Sequence, residues 1–221
     1  MRCYSLMHDH GLGPGAQVAH ATNDYLLVAS AWVDAILDGE YHKLTDESKM
    51  DWVDGYPVDR MRALSSPHNW GIAISWMDHI HIQDKEKQKR VRKGLIDYVS
   101  MYDSWKGPSH GAGPPLDIND VRTKYIPFWR NPYVSCPDKE ILVSMWQLPD
   151  RVLLAVFNGN RKDARAPVLS VDLDKLNLVP QLKWQEFLRI EGEAKLDFHG
   201  RKLTVERIEP HTARQIWIRK Y

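Results

Sequence analysis

From about residue 130 onward, turn-forming residues cut the chain into short apolar runs at close and even intervals, and few folds accept that pattern. Residues 140–146 (Glu-Ile-Leu-Val-Ser-Met-Trp) read as a strand, Leu148-Pro149-Asp150 as a turn, residues 151–158 as the next strand, and Gly159-Asn160 as another turn. Further strands are expected at residues 167–171, 181–188, 202–208 and 214–219, with His199-Gly200 and Glu209-Pro210 among the breaks. Residues 172–176 are expected to form a short helical connector. Short strands cannot bury an apolar face alone, and a regular series of them predicts an antiparallel β-sandwich.

The residues before this series follow a different rhythm. A strand over residues 3–7 is expected to end at His8-Asp9-His10-Gly11, with helical character following over 16–31. A buried strand over 33–37 ends at Asp38-Gly39-Glu40, and a polar loop covers 41–55. Pro57 opens a short helix over 57–64, since proline suits a first helical turn. A third strand over 71–76 and a long helix over 84–103 follow, then a loop over 107–115 with three Gly and three Pro. Alternation of strand, loop and helix predicts parallel β/α architecture. Three such units do not close an eight-stranded barrel, which takes roughly 250 residues. The expected organisation is therefore part of a (β/α) TIM-like barrel over residues 1–133 and a β-sandwich over 134–221. A sheet left open in this way needs its edge covered, by a missing barrel half or by a homo-oligomer.

Composition narrows the function. The 221 residues hold 30 Lys+Arg against 29 Asp+Glu, a formal charge of +1, so no field draws the chain to nucleic acid or a membrane surface. No apolar stretch approaches the roughly 20 residues that span a bilayer. Met1 to Met7 run directly into polar His8-Asp9-His10 and lack the apolar core of a secretion signal, so any such signal is expected upstream. Cys3 and Cys136 lack metal or redox spacing and read as structural thiols. Phosphate loops, dinucleotide fingerprints and nucleophile elbows are missing from the sequence, and no cofactor is expected. Nine Trp and nine Tyr offer flat amphipathic surfaces on which sugar rings stack.

In β/α folds the residues just past the strands carry the chemistry. Three groups stand in such places: His8-Asp9-His10, Asp38-Gly39-Glu40, and Trp76 with Asp78, His79 and His81; a fourth, Tyr56 with Asp59 and Arg60, precedes the third strand, where it is expected to cover the same face. Glycoside hydrolysis commonly uses two carboxyl groups, one protonating the leaving oxygen and one serving as nucleophile or as base for water. Asp9 and Glu40 end successive expected strands and are the candidate pair. Arg60 suits a carboxylate or a substrate hydroxyl, and His8 and His10 suit either role too. Two plainer readings stand beside this one: Asp-Gly is a common turn, and Asp9 suits a cap. His8, Asp9 and His10 also suit a metal-dependent hydrolase.

With these residues in hand, the order of features resembles the C-terminal half of retaining-type glycoside hydrolase barrels. The resemblance rests on His8-Asp9-His10-Gly11, Leu37-Asp38-Gly39-Glu40, Tyr56-Pro57-x-Asp59-Arg60, Trp70-Gly71 and Tyr125-Ile126-Pro127-Phe128-Trp129-Arg130. The later runs 142–146 and 153–158, the second ending in Asn158, resemble the sandwich that follows α-galactosidase-like barrels, as does Pro210-His211-Thr212-Ala213-Arg214. The resemblance implies a carbohydrate substrate and carboxylate catalysis, for which Glu40 and Asp9 are the best local carboxylates. Tyr56, Asp59, Arg60, Trp70 and Trp76 are expected to line the substrate site. A non-catalytic carbohydrate-binding or scaffolding protein is the competing expectation.

Overall fold

The computed structural model describes residues 18–20, 35–38, 53, 56–64, 73–76, 83–102, 105–106, 123–178, 188–197 and 199–220. The chain divides into two compact units. One holds residues 1–92 and 104–114, and the other holds 93–103 and 115–221.

In the first unit, β1 (Val18–His20), β2 (Ala35–Asp38), β3 (Ala73–Trp76) and β4 (Trp105–Lys106) form a sheet in the order β1-β2-β3-β4. Each neighbouring pair is parallel. Parallel neighbours need long crossovers, so strands adjacent in both sequence and space are the signature of β/α winding. Between β2 and β3 lies α1 (Val58–Leu64), and between β3 and β4 starts α2 (Lys85–Val99). Asp84 caps α2, its Oδ1 accepting from the backbone N–H of Glu86 and Lys87 at 3.0 and 3.2 Å.

One expectation is overturned here. Helical character is expected over residues 16–31, but Val18, Ala19 and His20 pair with Ala35, Ile36 and Leu37 as a strand. The surrounding alanines favour helix locally, and sheet pairing outweighs so weak a preference over three residues. The strand expected over residues 3–7 lies outside the described residues, whereas β2, α1, β3 and α2 fall within a few residues of where the periodicity put them.

The second unit is a sandwich of two antiparallel sheets. The larger is built from β5 (Lys124–Ile126), β7 (Ile141–Leu148), β8 (Arg151–Asn158), β10 (Leu188–Glu191) and β13 (Ala213–Lys220). The smaller comprises β6 (Val134–Ser135), β9 (Val168–Val171), β11 (Ala194–Asp197) and β12 (Lys202–Val205). The larger has the order β10-β13-β8-β7-β5 and the smaller β11-β12-β9-β6. The antiparallel part therefore reaches back past residue 134 to β5, which pairs with β7.

Alternate residues of both sheets meet in one core: Val143 and Met145 of β7, Val152, Leu154 and Val156 of β8, Ile216 and Ile218 of β13, against Leu169 of β9 and Leu203 and Val205 of β12. Leu173 and Leu176 of α3 (Leu173–Leu176) close one end of that core. The opposite face of the larger sheet is apolar as well, with Trp146, Leu148, Leu153 and Ala155 clustered beside Tyr125 and Trp217. Residues 93–102 lie against this face. Tyr98 packs on Phe157 with ring centroids 5.5 Å apart, Tyr125 donates to the Met101 carbonyl at 2.7 Å, and the backbone N–H of Ala213 donates to Asp97 at 3.2 Å. Covered on both sides, β8 is buried from Val152 to Asn158. That explains why its sequence is a continuous apolar run rather than an alternating one.

Candidate functional site

All strands of the first sheet run the same way, so their carboxyl ends share one edge. In register, Asp38 of β2 stands beside Trp76 of β3, and Trp76 beside Lys106 of β4. One row earlier, His20, Leu37, Ser75 and Trp105 are successive neighbours. An acid, a base and aromatic residues thus fall into two adjacent rows at the edge where β/α folds place their ligands. Glu40 follows Asp38 by two residues in the sequence.

The residues expected at the site divide as follows. Trp76 is the last residue of β3, at this edge. His8, Asp9, His10, Glu40 and Trp70 lie outside the described residues, as do Asp78, His79 and His81. Tyr56 is buried, 2% exposed, just before α1. Arg60, one helical turn on, lays its guanidinium over the Tyr56 ring at 5.4 Å from the centroid. Asp59 is exposed on the same helix and pairs with Arg62 at 3.1 Å. The structure therefore joins Tyr56 and Arg60 and turns Asp59 to a different partner.

His20 and Lys106 were not singled out from sequence. His20 was hidden by the helical reading of its neighbourhood, and Lys106 belongs to a strand of two residues, too short for any periodicity.

In the second unit, residues that carried the family resemblance have structural work. Asn158 is fully buried. Its Nδ2 donates to the carbonyls of Asp163 and Ile208 at 2.9 and 3.1 Å, and its Oδ1 accepts from the Asn160 N–H at 3.0 Å. His211 donates its backbone N–H to the Asn158 carbonyl, and its ring stacks on Phe157 with an interplanar angle of 7°. Phe128 and Trp129 sit in a 3-10 turn and pack on Tyr102 at 6.1 and 6.4 Å. Cys136 is a free, half-buried thiol packed against the core, and burial pushes its pKa up, as suits a structural thiol.

Among the described residues, no group of three His, Cys, Asp or Glu stands close enough to hold a metal ion. Nor, among them, is any helix long and apolar enough to cross a membrane. No family model, no curated protein and no solved structure matches the chain.

Proposed function

We propose that this chain is the C-terminal part of a glycoside-hydrolase-like protein, a portion of a β/α barrel followed by its sandwich. One observation carries the reading. Asp38, which Gly39 and Glu40 follow in the sequence, ends a parallel strand and stands in register beside Trp76 of β3, which in turn stands beside Lys106 of β4. Consecutive parallel strands paired in chain order are the repeating unit of a barrel, and that edge is where barrel enzymes hold substrate.

In this reading Glu40 and Asp9 are the carboxyl pair. One gives a proton to the departing glycosidic oxygen as the bond to the anomeric carbon breaks. The other attacks that carbon, or takes a proton from the water that does. Their separation sets the outcome: roughly 5 Å leaves room only for direct attack, and roughly 6.5–9.5 Å admits a water. His8, His10 and Arg60 would bond hydroxyls, Trp70 and Trp76 would stack on a sugar face, and Tyr56 would hold Arg60 in place. The missing barrel half, or a second copy of the chain, would complete the sheet.

The test is turnover of a panel of chromogenic aryl glycosides by the folded chain and by its Glu40→Gln variant. Measurable hydrolysis that falls by at least a hundredfold in the variant supports the reading. Hydrolysis unchanged in Glu40→Gln removes Glu40 from the chemistry. A folded chain that binds sugars yet hydrolyses none is a binding module. The neighbouring Trp76 and Trp105 positions at the same edge favour that second reading.

A further inference from the structure

The sandwich carries a cavity of its own. The smaller sheet ends in β6, two residues long, which pairs with β9. Beside it opens a cavity of about 400 Å³, lined by residues from three separate stretches, 131–135, 170–172 and 200–201. That volume lies within the roughly 300–1,000 Å³ typical of small-molecule sites.

Its frame is tied down by hydrogen bonds. The Asn131 side chain accepts from the N–H groups of Tyr133 and Val134 at 3.0 and 3.1 Å and donates to the Val143 carbonyl at 3.0 Å. The Asp172 N–H donates to the Tyr133 carbonyl at 2.8 Å, and the Val171 N–H to the Arg201 carbonyl at 2.9 Å. A rim fixed in this way loses little freedom when a ligand settles into it.

Two charged side chains line the cavity, Asp172 and Arg201, and each has a partner outside the lining: Asp172 pairs with Lys175 at 2.8 Å and Arg201 with Asp174 at 2.6 Å, while the lining Ser170 hydroxyl accepts from Lys202 at 2.7 Å. Lys175 holds the Asp172 carboxyl below the usual carboxylate range, so both members of that pair are charged at neutral pH. A free anion would meet Asp172, and a free cation would meet Arg201. A neutral molecule rich in hydroxyls meets no such penalty, because each hydroxyl both donates and accepts. The half-buried Tyr133 adds a flat ring, which suits the apolar face of a sugar.

We infer that this cavity is a binding site for a neutral saccharide ring, separate from the sheet edge proposed above and independent of any hydrolysis there. The experiment uses the full chain with methyl β-D-glucopyranoside, methyl α-D-galactopyranoside, N-acetylglucosamine and, as the charged probe, inorganic phosphate. Binding is read by saturation-transfer NMR and calorimetry. At least one saccharide should saturate with a Kd on the order of 1 mM, near 4 kcal/mol of binding. Ser135→Trp, which fills the cavity from an exposed position, should weaken it at least tenfold. Arg201→Gly should do the same, and it is a safe second variant because φ is +52° at this residue, where glycine is unstrained. Three results overturn the inference: no saccharide binds the folded chain, phosphate alone binds, or binding survives Ser135→Trp. Absence of turnover with saccharide binding intact would sink the hydrolase reading and leave this site standing.

Discussion

Removing the Asn158 side chain should cost the sandwich about 3 kcal/mol, through one small residue that touches no candidate site. Asn158 is fully buried at the end of β8 and makes three side-chain hydrogen bonds, to Asp163, Ile208 and Asn160. Each such bond contributes about 1 kcal/mol net, so Asn158→Ala forfeits about 3 kcal/mol. The Ile208 carbonyl keeps the Arg165 N–H at 2.9 Å and is not orphaned, which holds the loss near that figure. Asn158→Asp should be worse at neutral pH, since it replaces a donor to two carbonyls with an acceptor. Asn160 is the control. It caps the same loop, accepting from Lys162 and Asp163, but it is half-buried, and Asn160→Ala should cost about 1 kcal/mol. The assay is urea unfolding followed by tryptophan fluorescence, with the slope checked for constancy across the variants. An Asn158→Ala loss below about 1 kcal/mol, or an Asn158→Asp variant as stable as the parent, would refute the claim that these bonds hold the loop to the sheet.

The other predictions concern separate parts of the second unit. Asp97, 9% exposed, accepts from Lys93 and from the backbone of Ala213, so Asp97→Ala should lose about 2–3 kcal/mol by leaving that N–H unpaired, read by the same unfolding curves. Gly192 has a φ of +112°, and a Cβ there would meet the Gln215 carbonyl oxygen at 2.6 Å. Gly192→Ala should therefore cost about 2 kcal/mol or more, seen as a drop in Tm. Asp172 has a lowered folded-state pKa, chiefly from its hydrogen bond to Lys175, so its contribution is present above the unfolded carboxylate value and is lost as pH falls through the folded one. Urea midpoints measured from pH 6 down to pH 2.5 should fall less steeply in Asp172→Asn, and identical slopes would refute the linkage.

How much of this was legible in sequence depended on burial. The run at 151–158 stands as written because β8 is covered on both faces, and its apolar character is unbroken. The strand Ala194–Asp197 escaped notice: it is four residues long, alternates Ala and Leu with Lys and Asp, and is partly exposed. Val134–Ser135 is shorter still and exists only through its pairing with β9. The expected strand 202–208 is β12 as far as Val205, after which the chain leaves the ladder, and Ile208 returns as a bridge to Arg165. Trp76 was legible as a strand end, because the expected strand 71–76 and β3 finish on the same residue. Arg60 stands in the sequence as a polar group, and its seat on the Tyr56 ring four residues back is a local contact that depends on α1 forming there. The sandwich cavity was invisible in the sequence, because Tyr133, Asp172 and Arg201 come from three stretches that share no motif.

The position of β13 sets an order on synthesis. It lies between β10 and β8, and seven of its residues are paired to β8 across more than fifty residues of chain. The β7–β8 hairpin turns through Pro149 and Asp150 and forms from neighbours, so it is available early on the ribosome. Until residues 213–220 have emerged, though, β8 has one open edge, β10 has no partner in its sheet, and a long apolar run waits for both. The nascent chain must keep that edge from other chains during the interval, which is the period when a holding chaperone would matter most to it.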